Sequence, residues 1–186
     1  MKNAVLQAIA DRRSHRSYLP QQLTNEQLDA IVEAALQSPS GRNLQPWHFT
    51  VVQDQALLNR ISAEARAVDA TLPQEDRSQR FSDPAFQIFY SAPTVIIVWV
   101  ENPTPYAQLD CGIAVQSMAL AAQSLGLGSV IIGLAALAFE GSQKDTLMQQ
   151  LQAPQGSAFA ISIALGTPND TKPAHETHRD KVTFLR

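Results

Sequence analysis

A chain of 186 residues, 45% hydrophobic and 17% charged, is long enough for a single domain with a sizeable core and too apolar to be disordered. Its net charge of -3 excludes a general nucleic-acid binder, and no apolar run is long enough to span a bilayer. Cys111 is the single cysteine, which excludes an intrachain disulfide and fits a reducing cytoplasm; Cys, His and carboxylates show no metal-ligand spacing, and so little charge favours burial of surface in an oligomer.

The N-terminus lacks the long apolar core and cleavage site of a signal peptide. Asn3 is placed to cap a short helix with Val5, Leu6 and Ile9 facing inward. That helix runs into Arg12-Arg13-Ser14-His15-Arg16-Ser17, three arginines and two serines within six positions. Two readings are open there: a solvated basic helix end, where arginine suits the C-terminal dipole, or a set of donors for a phosphate. Leu23-Thr24-Asn25-Glu26-Gln27-Leu28 predicts a capping box between Thr24 and Gln27, with Leu23 and Leu28 as its hydrophobic staple. Leu28, Ile31, Val32, Ala35 and Leu36 continue one helical face until Pro39 ends it.

Residues 38–49, Ser-Pro-Ser-Gly-Arg-Asn-Leu-Gln-Pro-Trp-His-Phe, form the stretch around which the chain is organised. Pro39 and Pro46 restrict themselves and the residues before them, and Gly41 allows backbone angles closed to other residues. A stiff loop presenting Ser40, Arg42, Asn43 and Gln45 follows, either as ordinary turn chemistry or as a binding loop. Residues 47–52 read as a strand, and Asp54 as the cap of a helix carrying Leu57, Leu58, Ile61 and Ala65. From 68 to 84 the pattern dissolves into polar residues, which is either a lid or binding loop or disorder. Phe81, Phe86, Phe89 and Tyr90 follow as core anchors or as a substrate wall.

Residues 94–100 lack alternation and predict a strand covered on both faces. Thr104 caps, and Pro105 opens, a helix to about Leu125 that is apolar nearly all round and so needs neighbours on every side. Asp110, Gln116 and Gln123 are its polar exceptions. Gly126, Gly128 and Gly133 do not make a dinucleotide fingerprint, because they follow a helix and enter a short strand. Ser142 is placed to cap a further helix with Leu147, Met148 and Leu151; residues 158–165 predict another strand, and 182–185 a last short one after a polar tail with Lys172, His175, His178 and Arg179.

The two polar stretches, 12–17 and 38–49, in that order and at that separation, closely resemble the FMN-dependent nitroreductase family. Leu125-Gly126-Leu127-Gly128 and Ala164-Leu165-Gly166-Thr167-Pro168 look like the family's remaining landmarks, so the resemblance spans almost the whole chain. It implies a single nitroreductase-like α+β domain over residues 1–186, with a central, mostly antiparallel sheet flanked by helices. It also implies an intertwined homodimer with FMN at the interface. Arg12, Arg13 and Ser14 match contacts on the phosphate and ribityl side, and Arg16 a cation near the flavin pyrimidine. Pro39, Ser40, Gly41 and Asn43 match the loop laid on the flavin by the second subunit; Ile132 and Gly133 match the backbone beside flavin N5. Arg179 matches a phosphate ligand, with Lys172 the weaker candidate; His15 and His48 are structural sooner than proton donors.

The implied activity is hydride transfer from NADH or NADPH through flavin N5 to a nitroaromatic, quinone or similar acceptor, by a ping-pong scheme with no protein nucleophile. Two alternatives stay open: a flavoenzyme of the same fold that dehydrogenates, dehalogenates or consumes the flavin, and a non-enzymatic flavin-binding module. The pair Gly41-Arg42 stands where many relatives carry small hydroxyl residues, and residues 68–84 match no family motif.

Overall fold

The computed structural model describes residues 3–185. Four strands form one antiparallel sheet, β1 (Trp47–Val52), β2 (Thr94–Val100), β3 (Gly128–Ile132) and β4 (Ala158–Gly166), in the spatial order β1-β2-β4-β3. Helices α1 (Ala4–Asp11), α2 (Asn25–Leu36), α3 (Gln55–Asp69), α4 (Pro105–Ser124) and α5 (Lys144–Gln150) flank it. The α+β class and the antiparallel sheet are as the resemblance implies.

Every residue of β2 is buried, and the strand period of two sends its side chains into two separate cores. Val95, Ile97 and Trp99 pack with Leu58, Ile61 and Ala65 of α3, with residues 134–139 and with Leu147 of α5. Ile96, Val98 and Val100 pack with Ile31 and Ala35 of α2 and with Cys111, Ala114, Met118 and Ala122 of α4. The sheet is therefore the middle of three layers. The capping box is present, Gln27 N–H donating to Thr24 Oγ1 at 3.3 Å and Thr24 N–H to Gln27 Oε1 at 2.9 Å. Asn3, Asp54 and Thr104 cap α1, α3 and α4 as their positions predict. Gly126, at φ +73°, takes the left-handed turn that ends α4.

Four expectations are corrected. Val5, Leu6 and Ile9 do not face inward: each stays about half exposed, because α2 and α4 already fill the core beneath and α1 buries none of its residues. Leu36 is also exposed, lying about 100° round from Ala35 at the helix's last position. The N-cap of α5 is Gln143 and not Ser142; its N–H reaches Glu64 Oε1 of α3 at 3.2 Å, so a tertiary contact takes the place of the side-chain cap. Residues 182–185 form no strand but an exposed tail after the turn Arg179–Lys181, and the edge of β3 is met instead by the N-terminal segment through a parallel bridge from Ser14 to Ser129.

Residues 68–84 fold as a strap with short turns at Gln74–Asp76 and Gln79–Ser82. Arg66 of α3 donates to the carbonyls of Phe81 (2.8 Å), Asp83 (3.1 Å) and Phe86 (2.8 Å), and buried Asp69 accepts the Ser78 N–H at 2.8 Å. Among the described residues no helix is long and apolar enough to cross a membrane.

Candidate functional site

After α1 the chain runs extended along the open side of β3. His15 N–H donates to the Ser129 carbonyl at 3.0 Å, Leu19 N–H to Thr167 at 2.9 Å, and Tyr18 bridges to Pro168. This close approach needs the facing pair Gly128 and Gly166: a Cβ on Gly128 would lie 3.0 Å from His15 Cγ, and one on Gly166 2.9 Å from Tyr18 Cδ1.

Extended backbone sends alternate side chains to opposite sides, which divides the arginine cluster. Arg13 and His15 turn to the C-terminal tail. Arg13 donates through Nε to the Pro173 carbonyl (3.0 Å) and through Nη1 to the carbonyls of Ala10 (2.7 Å) and Arg12 (2.8 Å), so most of its fork is engaged by backbone. His15 Nδ1 lies 2.6 Å from Asp170 Oδ1, and Asp170 also accepts the Arg16 N–H at 3.0 Å and pairs with Lys172 Nζ at 3.1 Å. Burial alone would raise the Asp170 pKa; the hydrogen bonds from His15, the Arg16 backbone and Lys172 outweigh it and hold the carboxyl at about 2. Tyr18, whose hydroxyl donates to the His15 carbonyl at 2.8 Å, has its own pKa raised by burial and then by the Asp170 charge. Arg12, Ser14 and Arg16 alternate with them along the chain, and Arg16 Nη1 reaches back to the Ser14 carbonyl at 3.4 Å. Part of the basic cluster is thus a tether, Arg13 and His15, while Arg12 at the C-cap of α1 is half-exposed and Arg16 exposed.

At the end of β3, Arg16, Ile132 and Gly133 line a cavity of about 140 Å³ whose opposite wall is Phe86 and Tyr90, with Arg80 from the strap at its rim. Phe89 is a core anchor, 2% exposed, while Phe86 and Tyr90 serve both as packing and as cavity wall. No acidic residue lines this cavity. Arg179 lies on an exposed turn, Arg179–Lys181, and among the described residues its side chain has no ion pair; Lys172 is engaged by Asp170.

The second region is the loop 38–46. Ser38 closes α2 onto α4, its Oγ donating to Ser117 Oγ at 2.7 Å. The loop then bends through three non-glycine residues in the left-handed region, Arg42 (φ 55°), Asn43 (φ 56°) and Gln45 (φ 47°), each an unfavourable conformation for its residue type. What holds it is local: Gln45 N–H donates to Ser40 Oγ at 2.9 Å, Gln45 Nε2 to Asn43 Oδ1 at 3.1 Å, and Gly41 N–H to Asp110 Oδ2 at 3.1 Å. Ser40, Asn43 and Gln45 are therefore partly spent on the loop itself, and Arg42 stays exposed. Gly41, Arg42 and Leu44 line a cavity of about 720 Å³ with Asn102, Tyr106 and Asp110. Asn102, at φ 48°, joins Arg42 as a second left-handed residue of its wall. Pro39 lies just before this bend and connects it to α2.

The residues expected to meet one flavin thus fall into two groups. Arg16, Ile132 and Gly133 share one cavity, and Gly41 lines another. On α4, Tyr106, Leu109 and Ile113 are exposed at helical spacing, and Leu36 and Leu44 are exposed as well. His48 is exposed on edge strand β1 and lines neither cavity. Burial, then the neighbouring Asp110 charge, pushes the Cys111 thiol up to about 11, so it is no nucleophile at neutral pH. Sequence reasoning missed Asp170 and Arg80, and read Asp110 only as a polar exception in an apolar helix. Asp110 had a visible signal as a lone acid in an apolar helix, whereas Asp170 and Arg80 had none.

The sequence profile of the Nitroreductase family matches residues 9–167. A protein of Archaeoglobus fulgidus with the provisional name NADH dehydrogenase/NAD(P)H nitroreductase is 32% identical over 92% of this chain and 89% of its own length. The FMN reductase [NAD(P)H] of Bacillus subtilis is 29% identical over 90% of this chain and 67% of its own length. Among solved structures, a nitroreductase with bound FMN from Desulfitobacterium hafniense superposes with a TM-score of 0.94 at 37% identity, covering 100% of both chains.

Proposed function

The chain belongs to the Nitroreductase family, and from that premise we propose that it is an FMN-dependent oxidoreductase that takes its electrons from NADH or NADPH. The single observation that carries this reading is the sorting of the N-terminal segment. Arg12 and Ser14 alternate with the tethered Arg13 and His15, and Arg16 shares an acid-free, aromatic-walled cavity with Ile132 and Gly133. A phosphate carries two negative charges and wants Arg12 and Arg179 as charge-assisted donors, with the Ser14 hydroxyl beside them. Arg13 takes a different part: it fastens the tail that carries Arg179. FMN supplies hydride chemistry at its N5; the protein supplies position and charge. Arg16 offers a fixed cation to the pyrimidine side, where negative charge accumulates on two-electron reduction.

A second copy of the chain completes the site. The loop carrying Pro39, Ser40, Gly41 and Asn43 lines its own cavity with Tyr106 of α4, and α1 and α4 both leave apolar side chains exposed, as expected of an obligate interface. Donor and acceptor then use one opening in turn, the acceptor being a nitroaromatic, a quinone or a similar oxidant, and the kinetics are ping-pong. A reducing cytoplasm suits the chain, whose buried Cys111 has no partner to oxidise with.

The test is an absorption spectrum of the purified protein, then anaerobic addition of NADH and of NADPH. A bound-flavin spectrum that bleaches supports the reading, and steady-state lines that intersect would remove the ping-pong scheme. Protein that neither carries nor takes up FMN would sink the proposal. Replacing Arg12 with alanine should weaken FMN binding by roughly ten- to a hundredfold, the range for one charge-assisted contact.

A further inference from the structure

The strap brings a cation of its own to the cavity that holds Arg16. Arg80 Nη1 donates to the Tyr90 hydroxyl at 2.6 Å, and its guanidinium lies 6.0 Å from the centre of that ring and 5.9 Å from the centre of Phe86. Arg16 faces the same Tyr90 ring at 5.9 Å. One aromatic ring therefore carries two guanidinium groups. No carboxylate lines the cavity, and among the described residues neither arginine has an ion pair. Two like charges collected in one cleft repel each other, and an anion at that place relieves the repulsion.

Tyr90 itself is held in the left-handed region at φ 55°, as is Ser91 at φ 53°. The ring is thus presented by a strained turn, a feature concentrated at binding sites. The strap does not depend on Arg80 for its shape, because Arg66 and Asp69 fasten it from α3.

We propose that Arg80 is a second cation of the flavin cavity, which acts with Arg16 to stabilise the reduced cofactor. The inference rests on the FMN reading above. With FMN bound, hydride transfer from the nicotinamide would deliver two electrons and one hydrogen to flavin N5, oxidise the donor and leave one negative charge on the flavin ring. Arg16 would meet that charge from the N-terminal segment and Arg80 from the strap. The two arginines come from parts of the chain that are distant in sequence, and Tyr90 sets the position of both.

The experiment is the midpoint potential of bound FMN, measured against a reference dye, in the wild type and in Arg80→Gln, Arg80→Lys and Tyr90→Phe. Arg80→Gln should lower the preference for reduced over oxidised flavin about tenfold, which for a two-electron couple is about 30 mV. Arg80→Lys keeps the charge and should recover most of that shift. Tyr90→Phe keeps the ring but loses the hydrogen bond, and should give a smaller shift of the same sign. FMN bound to Arg80→Gln at the wild-type potential overturns this inference and leaves the cofactor reading standing. A wild-type protein that takes up no FMN overturns both.

Discussion

The segment at 12–18 and the loop at 38–46 both carry polar groups to a cavity, yet they are held by different means. The first lies flat on the sheet edge, tied by backbone bonds to Ser129 and Thr167 and by the three contacts of Asp170. The second stands on strained left-handed residues and a single carboxylate contact from Asp110. The first cavity is small and cationic; the second is several times larger, of mixed charge, and bordered by exposed Leu44, Tyr106 and Leu109. What the difference teaches is where the chain is self-sufficient. The first region gathers its cations on one chain, whereas the loop's surroundings leave Leu44 and Tyr106 exposed, which on the proposed reading a second copy covers.

The largest effect should come from keeping the second copy away. Leu109→Arg places a charge on the exposed face of α4, where dimer burial would leave it unpaired. The chain should sediment as a folded monomer and bind FMN at least about a hundredfold more weakly, more than two lost contacts of ordinary size account for. A monomer with undiminished FMN affinity would break the comparison, because the first region would then suffice alone.

A smaller loss is expected from the tether. Asp170→Asn weakens the hold on His15, the Arg16 backbone and Lys172 together, and FMN affinity should fall about tenfold. The same carboxyl sets a pH dependence. Its folded pKa lies below the ordinary 3.8, so its stabilisation is full above that value and is lost as pH falls towards about 2. Wild-type stability should therefore decline across that window in acid titration, and Asp170→Asn should lack this part of the decline.

The smallest effect is at the loop. Asp110→Asn leaves the Gly41 N–H with a neutral acceptor in place of a carboxylate and should lower the denaturation free energy by about 1 kcal/mol. Thermal unfolding measures it. The tether variant should alter cofactor binding more than this one does, which would sharpen the contrast between charge-held and strain-held regions.

Much of the framework was legible from local pattern. The Thr24 capping box, strand 47–52, the fully buried strand 94–100 and the Thr104-Pro105 helix start all lie where spacing places them, because each is decided by neighbours in sequence. The landmarks at 12–17 and 38–49 also located the two regions. What stayed hidden depends on contacts across the chain. Asp170 reaches His15 over 155 residues, and nothing around it in sequence marks it as a tether. Arg80 looks like any charge in a polar stretch until the strap folds it onto Tyr90. The face of α1 misled because its apolar spacing suits burial, whereas Val5, Leu6 and Ile9 stay about half exposed on the single chain. Ser142 misled because a carboxylate from α3 does the work of a cap.

The central claim is that one flavin site takes its charges from one chain and its loop from another. Complementation tests it most directly. One variant carries Arg12→Ala with Arg16→Ala, the other Ser40→Ala with Asn43→Ala, and each alone should hold little FMN. Co-expressed and purified together through different tags, the mixed dimer should regain FMN at one of its two sites, since one combination of wild-type halves is restored. A mixed dimer that binds no more FMN than either variant alone would contradict the claim, and would place both halves of each site within a single chain.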